Sequence, residues 1–412
     1  MKNVQKNKYI IIFCLTVSSL FIQSCKSNSD NLPTEPPASS RGQIVSSVSL
    51  GINDVKSLQS YINQQLSSQQ LSVTLVYSVL IYKLVYKTVD PSGNTVTASG
   101  IVCIPQGKNN LSLMSVHHGT QSNRLRAASV NPFNSPEGII AAALGYYAVM
   151  PDYLGLGEST LMHPYHLAKP SADVVIDMIR AAREFANSSG IILNGQVFLA
   201  GYSEGGYVTL AAHKEIQQNY NNEIRVTASA PMAGAYDINL TAKKIIQNKI
   251  YNQPSYLAFF FAAYNYYYGW NKLSDYFNSP YADRIPTLFD GTKSTDEINF
   301  QLTNDINLLF KSNFVNSYLN GSEITITSAF DNNSLLNWTP AVPIKFYHGS
   351  ADEYVPYENS VKARDTFLSR GANVELITIQ GGTHLTAALP SIISAINWFE
   401  QIRLKKLSLA QH

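Results

Sequence analysis

The chain has 412 residues, 45% of them hydrophobic and only 14% charged, enough to bury a large core and too apolar for disorder or coiled coil over most of its length. Residues 1–24 carry Lys2, Lys6 and Lys8 and no acid, so the remainder holds 27 basic against 28 acidic residues, a net charge of −1. That leaves no basic footprint for nucleic acid, which is not expected as a partner.

The three lysines precede the apolar run Tyr9–Ile22, the length of a signal sequence's hydrophobic region and too short to span a bilayer. The run stops at Phe21-Ile22-Gln23-Ser24-Cys25. This resembles a bacterial lipoprotein signal, in which the cysteine is acylated and becomes the first mature residue, with Gln23 departing from the small residue usual at its position. The competing expectation is a plain secretory peptide cut nearby, with Cys25 a bystander. Residues 1–24 are therefore expected to be a signal peptide and 25–43, rich in Ser, Asn and Pro, a flexible tether. On this expectation the protein is exported. It is either held at a membrane, the outer one by the pattern of Lys26, through lipid on Cys25, or secreted. Cys14 lies in the apolar run, so Cys103 has no partner for an intramolecular disulfide and is expected to pack as a small hydrophobe.

From residue 70 strands and helices alternate. Val73–Val89 and Val96–Ile104, joined by the turn Asp90–Asn94, predict a β-hairpin. Leu111–Val116 and Tyr146–Met150 predict buried strands, and the spacing of Val175, Met178, Ile179, Ala182 and Phe185 predicts a helix over 170–188 with Ser171 as a possible cap. Then follow strand 196–200, helix 204–217 and strand 224–230. After a long interval come strand 344–348, a helix from about 359 to 369, strand 374–380 and a last helix opening at Pro390. This alternation means an α/β fold with a mostly parallel sheet and helices on both faces. Residues 44–234 and 342–412 form its two parts. The interval 235–341 reads as an inserted helical cap, in which 9 of the 15 residues of Tyr256–Trp270 are aromatic. Most of those rings are expected to make the cap's own core and a few to line a ligand site.

Gly201-Tyr202-Ser203-Glu204-Gly205 fits G-x-S-x-G between a predicted strand and a predicted helix. Such an elbow projects Ser203 at a helix N-terminus, where free N–H groups favour developing negative charge. A serine hydroxyl needs a base, and His384, in a loop beyond strand 374–380, is the candidate among the chain's 8 histidines. Asp352, in the loop after strand 344–348, is the candidate to orient it; Glu353 and, more weakly, Asp152 compete. His348 is expected to position that loop. The oxyanion would be met by the Glu204 N–H and by an N–H of His117-His118-Gly119-Thr120, with Thr120 favoured over Gly119.

Taken together, HHGT, PDYLGLGES (151–159), GYSEGG, HGSADEYVP and GGTH resemble the blocks of the α/β-hydrolase superfamily. Within it the chain is similar, over roughly residues 70–405, to secretory lipases and related exported bacterial esterases. The resemblance implies an α/β-hydrolase fold and a Ser203-His384-Asp352 triad acting on a small-molecule ester through an acyl-enzyme, with no cofactor. It also implies a structural role for Asp152. Glu204 beside the nucleophile and HHGT in place of HGGG depart from common patterns, so the acyl preference of the latter is not carried over. Two rivals stay open: a serine exopeptidase on the same fold and a non-catalytic binding lipoprotein. A metal site from His117, His118, Asp152, His163 and His166 is disfavoured, because Pro164 separates the last two histidines on what would have to be a ligand helix.

Overall fold

A computed structural model describes residues 40–66 and 72–409. The expected signal peptide and Cys25 lie outside these residues. Among them is one nine-stranded sheet in the order β1-β2-β3-β5-β4-β6-β7-β8-β9. The strands are β1 (Ile44–Asn53), β2 (Val79–Val89), β3 (Thr95–Pro105), β4 (Leu111–His117), β5 (Tyr147–Pro151), β6 (Leu193–Tyr202), β7 (Val226–Met232), β8 (Ile344–Gly349) and β9 (Val374–Ile379). β1, β2 and β3 pair antiparallel, as do β3 and β5, while β4 to β9 pair parallel.

Both faces are covered, as continuous apolar strands require. Val197 and Leu199 of β6 join one core with α3 (Ala168–Ser188) and α4 (Glu204–Glu215), which follow α1 (Val55–Leu66) and α2 (Glu137–Ala143) in the chain. Phe198, Ala200 and Tyr202, one residue out of phase, join the other core with α2 and with the C-terminal helix that begins at His384.

Between β7 and β8 the described residues form α5 (Ile238–Gln247), α6 (Pro254–Tyr267), α7 (Leu273–Tyr276), α8 (Tyr281–Leu288), α9 (Thr295–Gln301), α10 (Ile306–Leu309), α11 (Ser312–Asn320) and α12 (Ile324–Asn333). α6 carries the aromatic run. Phe261 packs edge-on or tilted against Tyr276, Phe277, Phe310, Phe314 and Phe330, a private core for this insertion. After β8 come α13 (Glu358–Ser369), β9 and α14 (His384–Leu409).

Four expectations need correction. The tether ends earlier than residue 43, because Arg41 is buried and pairs with Asp173 and Asp177 at 2.8 and 3.0 Å, a charge that must be matched once desolvated. Residues 73–78 precede β2 rather than belong to it. Ser171 lies buried inside α3, whose first N–H, on Ala168, is met from afar by Asn333 Oδ1 at 2.9 Å. Finally, α14 opens at His384 and runs through Pro390. Thr383 and Thr386 exchange hydrogen bonds, each hydroxyl accepting from the other's N–H at 2.9 and 3.3 Å, and this reciprocal cap starts the helix six residues upstream of the proline.

Candidate active site

Ser203 sits at the turn from β6 into α4 with φ +61° and ψ −123°, a conformation L-residues adopt only when surroundings enforce it. The enforcement is steric. A Cβ on Gly205 would stand 1.9 Å from the His117 carbonyl oxygen, and one on Gly201 2.3 Å from that of Gly205. β4, β6 and α4 thus meet backbone to backbone, and the Ser203 N–H is held by the Met232 carbonyl at 2.9 Å.

His384, at the first turn of α14 rather than in a loop, places Nε2 2.8 Å from Ser203 Oγ. Its Nδ1 lies 2.7 Å from Asp352 Oδ2. The side chain of Asp352 is fully buried, yet its other oxygen accepts from the N–H groups of Tyr354 and Val355 at 2.9 and 2.8 Å. Burial favours the neutral acid, but hydrogen bonds from His348 and His384 outweigh it and hold the carboxyl well below the usual carboxylate range. His348 Nε2 reaches Asp352 Oδ2 at 3.1 Å and the Val355 carbonyl at 3.0 Å, bracing the loop. Glu353 turns to the His384 main chain, accepting from its N–H at 3.1 Å. Asp152 lies apart, accepting from the Ser99 hydroxyl at 2.6 Å and the Ser129 N–H at 3.1 Å.

The 117–120 loop runs beside Ser203: a Cβ on Gly119 would meet Ser203 Cβ at 3.6 Å. The Gly119 carbonyl faces His118 Nδ1 at 2.8 Å, so across the planar peptide the Thr120 N–H points away from that ring. The Thr120 hydroxyl bonds Tyr165 at 2.9 Å.

Of the residues weighed as metal ligands, His117, His118, Asp152 and His163 are engaged otherwise. His117 bridges Ser115 and Thr209, at 2.9 and 2.7 Å. His163 Nδ1 meets the Leu154 carbonyl at 2.8 Å, and its Nε2 lies 2.5 Å from Glu204 Oε1. A carbonyl has no proton to give, so Nδ1 carries one, and a further proton lies between Nε2 and the carboxyl group. Burial favours neutral Glu204, but the adjacent His163 outweighs this and holds its carboxyl below the usual range. This buried pair next to Ser203 was not anticipated; 41 residues separate its members and no local spacing announces it.

A chamber of about 20 Å³ adjoins Ser203, lined by Tyr165, His166, Glu204, Tyr256, Phe260 and Val355 among others. Ile245, Tyr251 and Tyr354 separate it from a crevice of about 630 Å³ bordered by Asp352 and Glu353. Tyr256 and Phe260 are thus the rings of the aromatic run that line the site.

The fold and the sequence both have relatives. A structure from Legionella pneumophila superposes with a TM-score of 0.80 at 29% identity, covering 87% of this chain and 98% of that one. The rice cell wall degrading esterase LipA of Xanthomonas oryzae superposes with a TM-score of 0.77 at 26% identity, covering 89% and 98%. Both neighbours share the α/β-hydrolase architecture described above. Lipase 4 of Candida albicans is 26% identical over 262 residues, 62% of this chain and 54% of that protein. The chain thus spans about half the length of the curated relatives it matches. The model of the secretory lipase family matches residues 138–408, a stretch that runs from α2 through the Ser203 elbow and the helical insertion to α14; the chain belongs to that family.

Proposed function

We propose that the protein is a serine carboxylester hydrolase of lipase or esterase type. Ser203 attacks the ester carbonyl while His384 Nε2 takes its proton, and Asp352 holds the imidazole in the required tautomer and stabilises the imidazolium. The amides of Glu204 and Thr120, or Gly119 in its place, receive the oxyanion. His384 then returns the proton to the alcohol, which leaves on the acid-loop side toward the larger crevice. Water, activated by the same histidine, releases the acid and regenerates Ser203. No cofactor enters this sequence.

The observation that carries the reading is the continuous relay of 2.8 and 2.7 Å from Ser203 through His384 to Asp352, at a strained elbow in a chain of this family. Tyr256 and Phe260 beside Ser203 favour substrates with a hydrophobic or aromatic group. Cleavage of p-nitrophenyl esters by the wild type, and none by Ser203→Ala with unchanged thermal unfolding, is the expected result. Wild-type turnover in Ser203→Ala would refute it.

For location, the run before Cys25 supports export with acylation of that residue as a membrane anchor. Labelled palmitate should tag the wild type and not Cys25→Ala; equal labelling of both would exclude Cys25 as the acylation site.

A further inference from the structure

Two residues that line the chamber beside Ser203, Glu204 and His166, each carry a buried polar atom that the mechanism above does not use. Glu204 Oε2 and His166 Nδ1 are both buried and have no hydrogen-bond partner among the described residues. Native interiors seldom leave such atoms unpaired, since a buried donor or acceptor without a partner has lost its water and gained nothing in return.

His166 is held there deliberately by its surroundings. Its φ is +54°, and its carbonyl accepts from the phenols of Tyr207 and Tyr264, each at 2.8 Å. Tyr165, Tyr207 and Phe260 pack against its ring at centroid distances of 4.3, 4.4 and 4.6 Å, which fixes its orientation. Burial pushes its pKa down to about 3, so the imidazole is neutral at working pH. In the tautomer with its proton on Nδ1, the neutral ring is a hydrogen-bond donor at that atom. Glu204 itself is tied through Oε1 to His163, leaving Oε2 as an acceptor.

We propose that this chamber is a subsite for a hydroxyl group on a short acyl chain, the hydroxyl donating to Glu204 Oε2 and accepting from His166 Nδ1. The proposal rests on the ester-hydrolase reading and names its acyl preference. Chemistry narrows the occupant. An anion would meet the Glu204 carboxylate, and a methyl group would leave both atoms unpaired. An ammonium would find Glu204 already paired with His163 and an N–H opposing it. Size agrees, since about 20 Å³ admits roughly one water-sized group. A site built to bond a substrate hydroxyl discriminates strongly against the analogue that lacks it.

The test compares kcat/KM for p-nitrophenyl lactate with propionate and 3-hydroxybutyrate with butyrate, each pair corrected for its hydroxide-catalysed rate, with 3-aminobutyrate as the cationic control. The wild type should favour at least one hydroxylated member tenfold or more, and His166→Phe should reduce that preference below threefold. Ratios near one, with the plain esters turned over, would mean that ordered water satisfies both atoms, and would overturn the proposal. So would preference for the aminoacyl ester, or a hydroxyl preference unchanged in His166→Phe. The wild-type ratios decide alone if that variant does not fold. Failure to cleave any of these esters in a Ser203-dependent way would sink the hydrolase reading itself, an outcome distinct from flat ratios.

Discussion

At the acid loop two adjacent carboxylates reach the same histidine by different routes. Asp352 meets the ring at Nδ1, whereas Glu353 meets the main-chain N–H. Asp352→Asn would present an amide that can donate to Nδ1 and select the tautomer unable to accept from Ser203, so kcat should fall by about four orders of magnitude. Glu353→Gln keeps an acceptor for the His384 N–H and should cost less than about tenfold. Steady-state kinetics on one ester separates the two, and the reverse order would move the acid one place along. These catalytic candidates were readable because each motif is short and lies at a strand end. The Glu204–His163 pair was not readable, because it is made by folding residues 163 and 204 together and by nothing in either neighbourhood.

The elements show the same division. Parallel strands such as β6 are buried on both faces and announce themselves as unbroken apolar runs. β1, exposed along nearly its whole length and rich in serine, carries no such pattern and was missed, as were α1 and α2. Pro390 was read as a helix start when Thr383 and Thr386 had already provided one. Where the elbow packs against β4, tolerance should be decided by backbone contact and not by φ. Gly205→Ala would drive a methyl into the His117 carbonyl and should cost more than about 3 kcal/mol, since backbone cannot yield as a side chain can. Gly107→Ala, at φ +77° with nothing within 4 Å, should cost about 1 kcal/mol. Urea unfolding of both variants checks this, and equal losses would contradict the contact argument.

For the whole molecule, buried histidines set the response to acid. Burial pushes His117, His166 and His213 down to about 3, against about 6.5 in the unfolded chain. Below pH 6.5 the unfolded state therefore binds protons that the native state refuses, so stability is full above that pH and declines as pH falls toward 3. Each histidine adds a slope of up to about 1.4 kcal/mol per pH unit. Raised carboxyls at Glu137 and Asp177 work in the opposite sense, and the three histidines outnumber them. Thermal unfolding should thus shift downward between pH 7 and pH 5, less steeply in His213→Gln; a flat profile in the wild type would contradict it.

The hydrogen bond from Ala168 to Asn333 joins the first turn of α3 to the last residue of α12, and Asn333 also accepts from Tyr207 of α4 through its carbonyl at 2.7 Å. The helical insertion is therefore not a detachable module. Exchanging it between relatives, or trimming it to change which esters enter, would uncap a core helix and release a phenol that also steadies His166. A graft that ends before Asn333 would alter the scaffold along with the specificity it was meant to transfer.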